Sequence, residues 1–297
     1  MSNVTLGIDV SDAIARLAIV TGDGKVVTRG IVAPNRAPAI KDAAKKAVAS
    51  AGGTLTAIAV ALPAAADDVS EELAAALSGV IAKMTPPITG IAAGTAAAIA
   101  EQRIGEAIGA TQMIAFSIAE HVTAGVVING QPWRGAHGLA SSVGWLALNP
   151  VEREDYRRLG SLEAEVASAG ILRRFVWRIK SGDQSKVVDQ AKGDFSKITA
   201  ADILQGARAG DGVSISVVRD TAKYIGMAVA NLASMFDPEI IVLGGIIASS
   251  GDIMLDAIRV ETARRLQPKQ SEQVKIVLST LGDDAVAIGA ALASARA

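Results

Sequence analysis

The chain has 297 residues, of which 50% are hydrophobic and 20% are charged, with a net charge of −1 and no cysteine. This length predicts two domains with cores of their own. The near-neutral charge argues against nucleic acid or an anionic membrane as a partner, and the lack of cysteine excludes disulfides and thiolate zinc sites. The first residues lack a basic segment followed by an apolar one, so we expect a cytoplasmic protein without a signal peptide.

The first half of the chain predicts a sheet covered by helices. Short apolar, β-branched runs predict strands, and Gly22 to Lys25 predicts a hairpin turn. Longer stretches with apolar residues at helical spacing predict helices. In chain order we expect strands at 4–8, 15–20 and 26–32, a helix at 38–51, a strand at 58–62, a helix at 70–83, a strand at 88–91 and a helix at 95–104.

The second half repeats this order of elements. The Asn129-Gly130 pair predicts a second hairpin turn, and the polar segment 182–196 predicts a surface connection. We expect strands at 113–117 and 122–128, helices at 162–180 and 213–236, a strand at 240–243, a helix at 253–266, a strand at 274–278 and a helix at 285–295. Two copies of one arrangement predict two similar domains.

The segment from Asn231 to Gly251 carries the most specific motif. A helix with one apolar stripe ends at Asp237-Pro238, because proline cannot continue it, and a buried strand follows. Gly244 and Gly245 then stand at the carboxyl end of that strand, where ligands bind open α/β sheets. Glycines there allow a flat ligand to come close to the backbone, and the alternative is a tight packing turn.

This segment resembles the adenosine-side motif of the ROK family of sugar kinases and repressors. Other segments resemble family motifs along the whole chain, namely 7–27, 58–67, 94–101, 126–145, 160–168 and 288–293. The resemblance implies an α/β fold with two actin-like (ribonuclease H-like) domains, and with ATP and sugar in the interdomain cleft. It implies an N-terminal domain at 1–111, joined by the returning C-terminal helix at 281–297, and a C-terminal domain at 112–280.

Both phosphate loops of the family are altered. The first reads Asp-x-Gly-Gly-Thr-Lys in the family, but here Asp9 is followed by Ser11-Asp12-Ala13-Ile14. The second reads roughly Gly-Thr-Gly-Ile-Gly, but here it is Ala119-Glu120-His121-Val122-Thr123. Asp12 and Glu120 each add a charge that repels phosphate, by about 4 kcal/mol at about 4 Å and an effective dielectric near 20. Asp9 matches a residue that handles the metal-nucleotide in the family, and the alternative is a carboxylate that holds a turn.

The positions that handle the sugar are altered as well. The family resemblance places Ala93 on the aspartate that acts as general base, and alanine cannot accept a proton. Ser142 replaces the glutamate of the sugar loop, and Trp145 replaces its histidine. Trp145 would either stack on a sugar or, as we favour, fill the empty pocket. Glu163 matches a glutamate that binds sugar hydroxyls, and the alternative is a charge favoured by the helix dipole.

Many ROK proteins hold a structural zinc in a cysteine cluster just before that last glutamate. The stretch 146–160 contains neither cysteine nor histidine, and His121 and His137 have no second ligand at metal spacing. We therefore expect no zinc and no other bound metal.

Three functions fit these residues. We favour a ROK protein that has lost kinase activity and acts as a sugar- or partner-binding regulatory module, because five separate sites are altered. The first alternative is an active carbohydrate kinase for a hexose or N-acetylhexosamine, using ATP and magnesium with a displaced carboxylate such as Asp67, Asp68 or Glu101. The second is a structural partner in an oligomer. The resemblance also implies a homodimer, and we expect no DNA-binding domain before Val4.

Overall fold

The structure is a computed structural model that describes residues 2–63, 68–80 and 87–295. The first half of the chain forms a five-stranded sheet in the order β3-β2-β1-β4-β5. Its strands are β1 (Asn3–Asp9), β2 (Ala15–Thr21), β3 (Val26–Val32), β4 (Thr54–Leu62) and β5 (Ile88–Ala92). The first three strands are antiparallel, whereas β4 and β5 run parallel to β1.

The second half forms a sheet with the same arrangement, in the order β10-β9-β6-β7-β8. Its strands are β6 (Met113–Ile118), β7 (Val122–Ile128), β8 (Gln131–Trp133), β9 (Ile240–Gly245) and β10 (Lys275–Leu278). Again three antiparallel strands come first, and two parallel strands follow. The predicted architectural repeat is confirmed, and we propose that the two domains follow these two sheets.

Thirteen α-helices are present in the described residues. They are α1 (Ala37–Ala51), α2 (Glu71–Ser78), α3 (Ala93–Ile104), α4 (Glu154–Leu159), α5 (Ser161–Val166), α6 (Ser168–Lys180), α7 (Lys186–Gln190), α8 (Ala200–Arg208), α9 (Gly212–Phe236), α10 (Ile246–Ser249), α11 (Gly251–Ala263), α12 (Pro268–Gln273) and α13 (Ala285–Ser294). None of the helices in these ranges is long and apolar enough to cross a membrane.

The last helix, α13, packs on α3 and on strands β1, β2 and β4, as the sequence predicts. Small residues allow this close approach. A Cβ atom on Gly289 would lie 1.7 Å from the carbonyl oxygen of Ala96, and one on Gly7 would lie 1.9 Å from that of Ala287. Helix α3 also packs on β7, where a Cβ on Gly94 would lie 2.0 Å from the carbonyl oxygen of Ala124. Helix α3 therefore touches both sheets and lies beside the space between them.

Three predictions about the elements are wrong or incomplete. The helix predicted at 162–180 is split into α5 and α6, because Ala167 is extended and both the N–H and the hydroxyl of Ser168 donate to the Ala119 carbonyl. The segment 182–196 contains α7, whose Val187 is buried, so it is more than a surface connection. Helices α4, α8, α10 and α12 were not predicted. Residues 81–83 of the helix predicted at 70–83 lie outside the described residues.

Candidate functional site

Two neighbouring cavities lie where β1, β5, β6 and β9 end. The first, here called the phosphate-loop cavity, has a volume of about 340 Å³ and is lined by residues that include Asp9, Asp12 and Glu120. The second, here called the Trp145 cavity, has a volume of about 240 Å³ and is lined by residues that include Trp145 and Glu163. His121 and Thr123 line both cavities. All the site residues predicted from the sequence lie in or beside these two cavities.

Asp9 is buried at the end of β1, where it holds the following turn. One oxygen, Oδ1, accepts the backbone N–H of Ser11 at 2.9 Å and its hydroxyl at 2.6 Å. Burial raises the pKa of the Asp9 carboxyl, and the hydrogen bonds from Ser11 act in the opposite direction. The carboxylate thus has a structural task in the turn, which is the alternative that the sequence left open.

Glu120 joins the two altered loops directly. It lies in the turn between β6 and β7, and its Oε2 accepts the backbone N–H of Ala13, in the turn between β1 and β2, at 2.9 Å. A backbone N–H in such a turn is the type of donor that binds a phosphate oxygen. Here a carboxylate of the same chain occupies that donor.

Asp12 lies beside this contact, and none of the described residues forms a salt bridge with it. Burial and the nearby carboxylates of Asp9 and Glu120 raise its pKa to about 6. The neighbouring His121 acts in the opposite direction, but less strongly. The carboxylates therefore make the phosphate-loop cavity unfavourable for a further negative charge.

This raised pKa predicts how the stability depends on pH. A carboxyl whose pKa is higher in the folded than in the unfolded state stabilises the fold below the unfolded value of 3.8, and this contribution is lost as the pH rises through about 6. Asp12→Asn removes the cost of ionising this carboxyl in the folded state. We therefore expect it to stabilise the protein by about 1–2 kcal/mol more at about pH 8 than at about pH 4. Urea unfolding at both pH values measures the difference.

Asp68→Asn is the matched control, because Asp68 is exposed and the chemical change is the same. If the stability of the two variants depends on pH in the same way, Asp12 does not lie close to the carboxylates of Asp9 and Glu120 as described above.

Gly244 and Gly245 end β9 and line the phosphate-loop cavity. Gly245 has a φ of +63°, and a Cβ there would lie 2.0 Å from the carbonyl oxygen of Ile118 on the neighbouring β6. A Cβ on Gly244 would lie 3.1 Å from Ser117 Oγ. Packing against β6 accounts for Gly245, so the glycine pair by itself does not require a ligand.

Ala93 is buried at the junction where β5 ends and α3 begins. Of the displaced carboxylates named as alternatives, the structure describes two, Glu101 and Asp68. Glu101 is buried on α3, where it accepts the Ser279 hydroxyl through Oε1 and the Glu106 N–H through Oε2. Asp68 is exposed, and Asp67 lies outside the described residues.

Glu163 is the only carboxylate among the described residues that line the Trp145 cavity. Its Oε1 lies 3.1 Å from His121 Nδ1, and its Oε2 accepts the Val122 N–H at 3.0 Å. The hydrogen bond to Glu163 raises the pKa of His121, which favours the imidazolium form. Both oxygens of Glu163 therefore anchor the altered loop. This pairing was not predicted, because the two residues match different motifs.

Trp145 does not fill the pocket. It sits in a short 3-10 helix, Val143–Trp145, and is 58% exposed at the edge of the cavity. The Ser142 hydroxyl donates to the Leu139 carbonyl at 2.7 Å. The hydroxyl of Ser141, which lines the same cavity, is buried and has no hydrogen-bond partner among the described residues. The cavity thus offers an accessible indole to a ligand, and an unpaired hydroxyl lies within its wall.

The segment at 146–160 is held by charged and polar groups. Glu165 accepts hydrogen bonds from the Tyr156 hydroxyl and from Arg153 at 3.2 Å. The chain has no cysteine, and within the described ranges no three His, Asp or Glu side chains are close enough to hold a metal ion. The donor set therefore does not fit the structural zinc that the family resemblance implies.

Sequence comparison finds two kinds of relatives. A glucokinase of Halalkalibacterium halodurans is 31% identical over 65% of this chain and 59% of its own length. A xylose repressor of Caldicellulosiruptor bescii is 28% identical over 65% of this chain and 48% of its own length. The matched region thus spans about half to three fifths of these relatives.

Comparison of structures shows the same fold. A ROK family glucokinase from Streptomyces griseus, solved with glucose and AMPPNP, superposes with a TM-score of 0.79 at 24% identity, covering 97% of this chain and 98% of that one. This confirms the predicted α/β fold of actin-like type. The profile of the ROK family matches residues 5–296. The chain therefore belongs to the ROK family.

Proposed function

We propose that this chain is a ROK protein without kinase activity, which binds a small sugar in the Trp145 cavity and acts as a regulatory module. The observation that carries the proposal is the hydrogen bond between Glu120 and the Ala13 N–H. It places a negative side chain on a donor that a kinase needs for a phosphate group. Carboxylates thus line the phosphate-loop cavity and disfavour a phosphate group there.

Ala93 supports the same conclusion, because it stands where a kinase needs a base for the sugar hydroxyl that accepts the phosphate. General-base catalysis contributes roughly 10²–10⁴-fold to proton-transfer reactions, and a buried methyl group supplies none of it. Glu163 is engaged in the altered loop, because its Oε1 pairs with His121 and its Oε2 accepts the Val122 N–H. The alternative of a kinase with a displaced site would need a carboxylate that is free and close to the sugar.

Sugar binding is supported by the chemistry of the Trp145 cavity. Aromatic faces pack on the apolar side of a sugar ring, and hydroxyl groups exchange hydrogen bonds with its edge. Trp145 and Ser141 supply these groups in a cavity of about 240 Å³. Similarity to proteins named as a glucokinase and as a xylose repressor also supports a carbohydrate ligand. We further propose a homodimer that acts through its ligand and not through DNA, in keeping with the net charge of −1.

A thermal-shift screen tests the proposal with glucose, fructose, mannose, xylose and N-acetylglucosamine. We expect at least one sugar to raise the melting temperature in a saturable way, because a ligand that binds only the folded state stabilises it. Trp145→Ala should weaken the binding of that sugar roughly two- to tenfold, since an aromatic contact contributes about 0.5–1.5 kcal/mol.

Trp177→Ala is the matched control, because Trp177 is equally exposed but lies on α6 outside the cavity. A shift that is absent for every sugar, or that survives in Trp145→Ala unchanged, would contradict sugar binding at this place.

A further inference from the structure

A third cavity, separate from the two above, lies between α6, α9 and α11 and the segment before α4. We call it the arginine cavity. Its volume is about 680 Å³, which is within the usual range for a site that holds a small molecule. Its apolar wall includes Trp177, Tyr224 and Met227. Trp177 is 67% exposed, so its indole is accessible to a ligand.

Positive charge exceeds negative charge on the other wall. Five basic and three acidic side chains line the cavity. Two of the acidic residues, Asp220 and Glu261, pair with the rim residues Lys223 and Arg265. The third, Glu165, pairs with the three remaining arginines, Arg153, Arg173 and Arg174.

The single negative charge of Glu165 does not balance the positive charges of the arginines around it. Glu165 is 2% exposed, and its carboxylate lies 3.2 Å from Arg153, 3.2 Å from Arg173 and 3.8 Å from Arg174. Arg173 has a second partner in Asp155. One buried carboxylate and one neighbouring aspartate thus face three guanidinium groups, which leaves a local positive excess beside an open cavity.

Arg174 has hydrogen-bonding capacity that the described residues do not use. Its Nη2 donates to the Thr221 hydroxyl, and its guanidinium lies 5.6 Å from the centre of the Tyr224 ring. Nη1 lies 3.8 Å from Glu165, but Nε and Nη1 are buried without a hydrogen-bond partner among the described residues. Burial lowers the pKa of both Arg173 and Arg174. A buried donor without a partner is destabilising, and a nearby negative charge reduces the cost of keeping these guanidinium groups ionised.

We propose that the arginine cavity binds a small organic anion, in which a phosphate or carboxylate group is attached to an aromatic or other apolar ring. The oxyanion pairs with Arg153 and Arg173, whose side chains are 50% and 36% exposed and so within reach of a ligand. Arg174 contributes its charge from beneath them. The ring packs on Trp177. This site does not depend on the proposed sugar cavity, because none of the residues that line the one cavity lines the other.

The experiment uses phenyl phosphate as the probe. Inorganic phosphate and phenol, which correspond to its two parts, are titrated separately for comparison. Titration of the full-length protein is followed by tryptophan fluorescence and by calorimetry. We expect saturable binding of phenyl phosphate with a change in tryptophan emission. Arg153→Gln should weaken binding of phenyl phosphate and inorganic phosphate roughly tenfold or more, since hydrogen bonds to charged groups are lost.

Trp177→Ala should abolish the fluorescence change and weaken the binding of phenyl phosphate, while leaving the affinity for inorganic phosphate unchanged. Both replaced side chains are at least half exposed, so neither change should prevent folding. Arg208→Gln is the control for a lost positive charge, because Arg208 is paired with Asp252 away from the cavity.

Two results would overturn the proposal. One is the lack of saturable binding of phenyl phosphate by the wild-type protein at about 10 mM, which corresponds to less than about 3 kcal/mol of binding free energy. The other is light scattering that shows a dimer which Trp177→Ala or Arg153→Gln dissociates, without phenyl phosphate binding to either form. In that case the surface is a subunit interface.

Discussion

The double variant Asp12→Gly, Glu120→Thr is expected to bind magnesium-ATP at least about a hundredfold more tightly than the wild-type protein. Two like charges at about 4 Å repel by about 4 kcal/mol at an effective dielectric near 20, so a net gain of about 3 kcal/mol is a conservative value. The second replacement also frees the Ala13 N–H, which Glu120 occupies at 2.9 Å. Glycine and threonine are the residues that the ROK phosphate loops have at these two positions.

Isothermal titration calorimetry of both proteins measures this difference. The control variant Asp42→Asn, Glu272→Gln removes two exposed carboxylates from α1 and α12 that line neither cavity, and it should leave the affinity near that of the wild type. If the double variant binds no more tightly than this control, Asp12 and Glu120 are not what excludes the nucleotide.

The second large effect concerns the contact between the two helices beside the cleft. Gly289→Ala should destabilise the protein by about 3 kcal/mol, the upper part of the usual range for overpacking. The reason is that the new Cβ would lie 1.7 Å from the Ala96 carbonyl oxygen and 2.4 Å from its carbon, both of which are backbone atoms of α3 that a side-chain rotation cannot move. Thermal unfolding should show a melting temperature lower by roughly 6–12 °C.

Gly212→Ala is the control for this substitution. Gly212 opens α9, and a Cβ atom there would meet nothing within 4 Å, so alanine should be tolerated or slightly stabilising. Equal stability of the two variants would mean that α13 does not pack on α3 as described, and that the two sheets are joined in another way.

Much of the fold could be predicted because it depends on local patterns. Strand and helix periodicity predicted the strands of both sheets and the last helix, and the resemblance to ROK proteins predicted that this helix returns to the first domain. Helix α8 was missed, although Thr199 and Asp202 form a capping box that was visible in the sequence. The break between α5 and α6 had no such signal, because it depends on the bond of Ser168 to the distant Ala119 carbonyl.

The candidate site was predicted less completely, because its contacts also join residues that are distant in the chain. The motif comparison identified Asp12, Glu120 and Ala93 as replacements, and the structure places all three at the cleft. It could not show that Glu120 reaches Ala13, 107 residues away in the chain. For Trp145 we favoured a buried position because large aromatics usually lie in cores, but its 3-10 helix holds it at the edge of the cavity, 58% exposed.

The most direct test of the central claim is a coupled assay of the wild-type protein for phosphate transfer from magnesium-ATP to glucose, fructose, mannose and their N-acetylated amines. We predict no turnover above background, because Glu120 occupies the Ala13 N–H and the base position holds Ala93. Turnover near 1 s⁻¹ or above, the low end for typical enzymes, that is lost in Asp9→Asn would contradict the account and show an active kinase with a displaced site.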